Sequence, residues 1–389
     1  MAIPLSYNIR NVLQRPVTTL TTAIGVALTV TIFIGALALA EGVRTALVST
    51  GSSRNAIILR KGADSELSSG VGIDAANIIR ALPAVAIGAD GRGLVTTDLV
   101  VVTNKPRLGQ PGSSNVLVRG VGSGVAALRP EVKIVSGRMF TFGTDEVIVG
   151  RRIAPRFENC NVGEKIVFQQ RQFTVVGQFS ANGAAFESEI WGDAAVLGPA
   201  LDRGDGYQSV TLRMKDPSQF ESIKRELEAD PRLQVQVKRE DLFYSAQSEL
   251  LTKIITFVGI FITAIMALGA VFGAMNTMYA AVQTRTREIA VLLVLGFGPG
   301  AVMLSFLFES VFLSLIGGAI GCLLALPING IITSTTNFQS FSELAFGFRV
   351  TPLTLAWGLL FSAALGLVGG LLPALRASRQ SLAMSLRQG

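Results

Sequence analysis

The chain has 389 residues, 49% of them hydrophobic and 16% charged, with no histidine and a net charge of +7. The missing histidine excludes His-based triads, histidine kinases and zinc sites that need imidazole, and the lack of any G-x-x-x-x-G-K-[ST] run excludes nucleotide binding through a P-loop. The positive charge is not gathered for nucleic acid: residues 42–253 hold 26 basic and 23 acidic side chains, and the rest of the excess flanks apolar stretches.

Residues 5–14 predict a short amphipathic helix on the inner membrane surface, with Leu5, Ile9, Val12 and Leu13 along one side. Four windows then lack charge: 16–40, 254–284, 310–342 and 350–375. Each exceeds the roughly 20 helical residues that cross a hydrocarbon core of about 30 Å. Four transmembrane helices are therefore expected, the first within 1–42 and the others at about 254–282, 299–328 and 352–375. Glu309 falls inside the third, near the inner membrane interface, and Pro327 ends or kinks it. The A-x-A pattern in 36–40 has the look of a signal-peptidase site, but its apolar run is too long for a signal peptide and reads as an uncleaved anchor.

Short segments rich in Lys and Arg stay on the cytoplasmic side. Arg10 and Arg15 precede the first span, Arg285 and Arg287 separate the second from the third, and Arg376, Arg379 and Arg387 follow the fourth. All three segments are expected inside, with both termini. The segment between the third and fourth spans offers Arg349 against Glu343 and is expected outside, where Phe338, Phe341, Phe346 and Phe348 suit the interface. The large segment 43–250 is then outside too, exempt from the charge rule by its length.

That segment predicts a mixed α and β domain, large enough to bury its own core. Strand-like runs lie at 56–59, 94–102, 116–118, 146–149, 165–168, 173–176 and 209–214, and helices at 73–82 and 217–229, the latter capped by Asp216. Gly120, Gly122 and Gly124 follow a strand but have G-x-G-x-G spacing, which reads as an ordinary turn and not as a dinucleotide site. Cys160 and Cys322 fall in different parts of the chain and are expected to be unbridged and inert. Residues 240–253 favour helix and lead straight into the second span, so a stalk is expected there, joined by 41–47 rising from the first. The last three spans contain G-x-x-x-G pairs, Gly269 with Gly273, Gly317 with Gly321, and Gly366 with Gly370, a pattern that lets helix backbones approach.

Between the second and third spans lies a short polar island, where Arg285, Arg287 and Glu288 are followed by Ile289, Leu292, Leu293 and Gly296 at helical spacing. Its motifs are Asn276-Thr277-Met278, Arg285-Thr286-Arg287-Glu288-Ile289, Leu295-Gly296 and Phe308-Glu309-Ser310. Together they resemble the signature of the MacB-like, or FtsX-like, permeases of ABC transporters, the type VII mechanotransmission class. The run 13–25, the pattern Ser136-Gly137-Arg138-Met139-Phe140 with 163–166 and 173–177, and the closing Leu372-Pro373-Ala374-Leu375-Arg376 with 385–387 are similar to further parts of that family. Leu293 stands where the family often has a basic residue, and Leu382 where it often has proline.

The resemblance implies an α-helical membrane protein with four transmembrane helices and a mixed α+β extracytoplasmic domain inserted between helices 1 and 2. Residues 1–42 would form the amphipathic helix and first span, 43–250 the MacB-like periplasmic core domain, and 251–389 the FtsX-like permease domain with a coupling helix at about 284–297. It implies a subunit that is not itself an enzyme and binds no cofactor, ATP being bound by a separate ATPase. Arg285, Arg287 and Glu288 would orient the coupling helix on that ATPase, with Leu292, Leu295 and Gly296 packed into its groove and Glu309 at the membrane interface. Other expected partners are a second permease in a homodimer or heterodimer, membrane lipid, a periplasmic adaptor and an outer-membrane channel, in the bacterial cytoplasmic (inner) membrane. An FtsX-like signalling subunit that regulates an envelope enzyme is the alternative.

Overall fold

The computed structural model describes residues 16–89, 91–204 and 206–379, so the helix expected at 5–14 and the closing residues 385–387 lie outside the described residues. In chain order the elements are α1 (Pro16–Val48), β1 (Asn55–Arg60), α2 (Ile73–Arg80), β2 (Val95–Pro106), β3 (Ser113–Val121), α3 (Val125–Leu128), β4 (Lys133–Gly137), β5 (Glu146–Gly150), β6 (Lys165–Phe168) and β7 (Arg171–Ser180). There follow β8 (Glu189–Asp193), α4 (Ala194–Ala200), β9 (Ser209–Arg213), α5 (Phe220–Ala229), β10 (Val235–Arg239), α6 (Glu240–Thr284), α7 (Thr286–Val294), α8 (Pro299–Ala325), β11 (Ile332–Asn337), β12 (Ser342–Gly347) and α9 (Pro352–Ser378). Among the described residues four helices, α1, α6, α8 and α9, are long and apolar enough to cross a membrane. The chain divides into a helical unit, holding the described residues up to Glu41, Lys253–Ile331 and those from Phe348, and a strand-rich unit of Gly42–Thr252 and Ile332–Gly347.

Local chemistry sets where the helices begin and end. Both α8 and α9 start with proline at a first-turn position, where the missing N–H costs nothing, and Thr351 and Thr354 cap α9 reciprocally. The third long helix passes at Leu326–Ile328 into a single 3-10 turn containing Pro327. At 45 residues α6 is about 68 Å long, more than twice a hydrocarbon core, because nothing in Glu240–Thr284 breaks it and Glu240 and Asp241 favour its N-terminal dipole.

In lipid, apolar side chains gain little by leaving one apolar medium for another, so helices are held by close backbone approach and polar ties. The helical unit uses both. Along the antiparallel α8–α9 seam, Ser310 meets Gly370, Ser314 meets Gly366 and Gly318 meets Ser362, and the Ser310 hydroxyl donates to the Gly366 carbonyl at 2.7 Å. One residue round from Gly318, Gly317 and Gly321 face α1, where an added Cβ would lie 2.7 Å from the carbonyls of Ala23 and Ala27 respectively. A hydroxyl pair, Thr22 with Thr277 at 2.8 Å, joins α1 to α6.

The strand-rich unit is built on one mixed sheet in the order β10-β1-β9-β2-β3-β8-β5-β7-β4, with β6 also paired to β7. The β3–β8 and β5–β7 pairs are parallel and the others antiparallel. Its interior holds an ionic network. Arg119 binds Glu66 through two nitrogens at 2.8 and 3.0 Å, binds Glu189 at 2.7 and 3.0 Å, and reaches Asp98 at 3.2 Å. Arg129 donates to Asp98 at 2.7 Å and stacks 4.5 Å from the Phe186 ring centroid. Burial pushes both carboxyls toward the neutral form. At Glu66 the Arg119 contacts and the Ser209 hydroxyl outweigh it and hold the group below the ordinary range, whereas at Glu189 burial prevails and the value is raised. Cys160 is free and buried in this unit, and desolvation pushes its thiol up to about 11, which disfavours the reactive thiolate.

Residues 332–347 group with the strand-rich unit. They form an antiparallel β11–β12 hairpin in which Phe346 is buried while Phe338 and Phe341 are exposed. The physical reason is a set of polar ties: Glu343 is ion-paired with Arg107 and with Arg156, Arg152 donates to the Ala345 carbonyl at 2.7 Å, and the Ala345 N–H donates to Ser188 at 2.9 Å. The Gly120–Gly124 turn serves packing, since a Cβ on Gly120 would fall 2.7 Å from the Ala194 Cα and one on Gly124 2.4 Å from the Val95 carbonyl.

Two outcomes follow. Gly318→Ala puts a methyl where Ser362 already sits and should lower stability in detergent by about 1–3 kcal/mol, a loss that Ser362→Gly in the same chain largely restores, as read by thermal unfolding. Because the folded carboxyl of Glu189 is raised above its unfolded value, its contribution is fully present at low pH and is lost as pH rises through the raised value. Glu189→Gln should therefore flatten the pH dependence of unfolding followed by emission of the buried Trp191, whose indole N–H binds Glu189 at 2.6 Å.

Candidate functional site

The polar island forms an elbow. The helix α6 ends at Thr284, Arg285 turns the backbone at φ −109° and ψ 17°, and α7 starts at the next residue. The inward face of α7 carries Ile289, which joins Met278 and Val282 of α6, Val302 and Phe306 of α8, and Ala374 and Ala377 of α9 in one buried cluster. A nine-residue helix is too short to persist alone, so this apolar face is what holds it helical. Near the same end, the Arg376 guanidinium of α9 lies 5.7 Å from the Tyr279 ring centroid of α6, a cation–π contact.

The residues expected to face an ATPase separate into three groups. Arg287 and Leu295 are exposed on the outer side of α7, whereas Glu288, also exposed, lines the gap between α7 and α8. Leu292 is half-buried and lines a gap of about 10 Å³ with Arg285, Ile289, Phe306 and Glu309, no larger than a water. Arg285 and Gly296 do other work. The Arg285 side chain turns inward and pairs with Glu309 at 2.7 Å, with 6% and 8% of the two side chains accessible. Gly296 adopts φ +90° and closes the helix, its N–H bonding the Leu293 carbonyl at 3.2 Å and the next N–H, of Phe297, bonding the Leu292 carbonyl at 3.1 Å. That double closure requires the left-handed conformation that glycine takes without strain, so Gly296 is the helix stop.

Two residues that sequence reasoning passed over complete the outer face: Val291 is 56% and Val294 67% exposed. Their spacing from Arg287, at i+4 and i+7, was the available signal. The outer face of α7 thus presents Arg287 near its start and an apolar patch of Val291, Val294 and Leu295 beyond it. An ion pair buried like that of Arg285 and Glu309 is costly to desolvate but, once formed, costs about 3–5 kcal/mol to break by removing one member. Among the described residues no group of three or more His, Cys, Asp or Glu is arranged to hold a metal ion.

The MacB-like periplasmic core domain family matches residues 19–230, and the FtsX-like permease C-terminal family matches residues 260–382. The macrolide export ATP-binding/permease protein MacB of Brucella abortus is 30% identical over 237 residues, which are 58% of this chain and 35% of that protein. The protein of the same name from Burkholderia pseudomallei is 26% identical over 386 residues, 93% of this chain and 56% of that one, so the chain spans from about a third to just over half the length of these relatives. The solved periplasmic region of MacB from Actinobacillus actinomycetemcomitans is similar with a TM-score of 0.39 and 16% identity, over 52% of this chain and 95% of that structure. One family match covers more than half of the chain and the other covers its last three long helices and the elbow between them: the chain belongs to the MacB-like family of ABC transporter permeases with an FtsX-like C-terminal part.

Proposed function

We propose that this chain is the force-transmitting subunit of an ABC transporter. A separate ATPase binds ATP and docks on the outer face of α7. Its closure drives that helix, and the long helices carry the motion to the strand-rich unit on the far side of the bacterial inner membrane. The observation that carries this reading is a short helix with Arg287, Val291, Val294 and Leu295 outward and Ile289 buried among α6, α8 and α9. A push on the outer face has nowhere to go but into three of the four spans.

Sidedness follows from charge. Arg287, Arg376 and Arg379 belong to short segments and favour the cytoplasm, which puts the strand-rich unit and the β11–β12 hairpin outside. A second copy of the chain is part of the proposal. Of the three G-x-x-x-G pairs, two are filled from within the chain, but Gly269 and Gly273 on α6 have no atom within 4 Å of where a Cβ would stand, which supports helix pairing there. The relatives' name, macrolide export, supports a transport role in which the outer unit, with a periplasmic adaptor and outer-membrane channel, works on cargo taken from the periplasm or outer leaflet.

Arg287→Glu reverses a charge on the docking face without disturbing any buried contact. It should weaken ATPase binding about tenfold, roughly 1.4 kcal/mol, and lower ATP turnover in the complex in proportion. Co-purification and turnover in lipid nanodiscs measure this, and wild-type values in the variant would count against docking on α7.

A further inference from the structure

The elbow contains two kinds of residue that a docking surface alone does not explain. Arg287, Val291, Val294 and Leu295 face outward, where a partner can grip them. Arg285 is the single residue between α6 and α7, and its side chain is spent inward. Its partner Glu309 is the eleventh residue of α8, so the pair ties the bend to a point about 15 Å along that spanning helix. In the apolar cluster α7 contributes Ile289, packed with Val302 and Phe306, a contact with no directional bond, while Glu288 lines the gap beside Arg285 and Glu309. A charge-assisted bond from a planar guanidinium is directional, and in these surroundings it is little screened by water.

We infer that the Arg285–Glu309 pair is the joint through which movement of α7 reaches α8, a positioning pair distinct from the docking residues. This rests on the proposed coupling function. Loss of the ATPase grip and loss of the joint are then separable defects. Without the pair, α7 still folds against its apolar cluster and still offers its outer face, but it turns at the elbow without carrying α8.

The test uses the full-length chain in lipid nanodiscs with the ATPase that co-purifies with the wild type. Glu309→Gln and Arg285→Gln should leave ATPase affinity unchanged and reduce permease-dependent stimulation of ATP turnover by about fivefold or more. The charge-swapped double variant, Arg285→Glu with Glu309→Arg, should recover most of that stimulation, and unchanged affinity in the single variants separates a lost joint from a lost fold. Affinity falling in step with stimulation would make these docking residues and overturn the inference, as would single variants with full stimulation or a swap with no recovery.

A second readout needs no ATPase. A spin label at Val291→Cys, in a chain carrying Cys160→Ser and Cys322→Ser, should be immobile in the wild-type background, mobile in Glu309→Gln and immobile again in the swap. Equal mobility in all three contradicts the joint. If no ATPase binds even the wild type, the coupling function fails, while the label still decides whether the pair fixes the elbow.

Discussion

Everything in the helical unit answers to one constraint: within a bilayer the spanning helices gain little by hiding apolar surface from apolar lipid. Cohesion has to come from backbones that touch and from buried polar groups that pair with one another. The serine and glycine residues alternating across the α8–α9 seam meet the first requirement, and the glycine edge of α8 against the carbonyls of α1 repeats it. The buried Arg285–Glu309 pair meets the second. The result is a bundle whose inner end is stitched to the elbow, so that a force on the elbow is a force on the bundle.

The same constraint gives the outer parts of the long helices their meaning. At about 68 Å, α6 exceeds the bilayer thickness by a wide margin and carries the chain without interruption from the elbow to residues of the strand-rich unit. A continuous helix has no internal hinge to absorb motion. The strand-rich unit is built stiffly in its turn, with a buried network of Arg119, Arg129, Glu66, Asp98 and Glu189 at its centre and the β11–β12 hairpin tied to it through Glu343. Such a network makes the strand-rich unit stiff, as the proposed force-transmitting role would need.

Much of this was legible in the residues. The spans are visible in length and missing charge, and most strands in runs such as Ala56 to Leu59 and Lys165 to Phe168 that suit a pleated, half-buried surface. What could not be read depended on partners far away in the chain. The hairpin at 332–347 was hidden because its apolar run continues that of the third span, and the residues that claim it, Arg107, Arg152 and Arg156, lie some 180 to 240 positions earlier. The outer face of α7 was half legible. Arg287 and Leu295 were expected to face outward and are exposed, but Arg285 was grouped with them because a charge between spans is normally solvated, and only folding brings Glu309 to it. Gly296 carried its own signal, a glycine just past a helical run, which marks a helix end before it marks a contact.

The central claim is that nucleotide chemistry at the elbow displaces the strand-rich unit across the bilayer. The most direct measurement is the distance between spin labels at Ile87→Cys, an exposed position of that unit (63% accessible), in the two copies of a nanodisc-embedded complex with its ATPase. The account predicts one distance distribution without nucleotide and a clearly displaced one when the ATPase is trapped with ATP and vanadate. Identical distributions in the two states, with the ATPase bound and turning over, would contradict it.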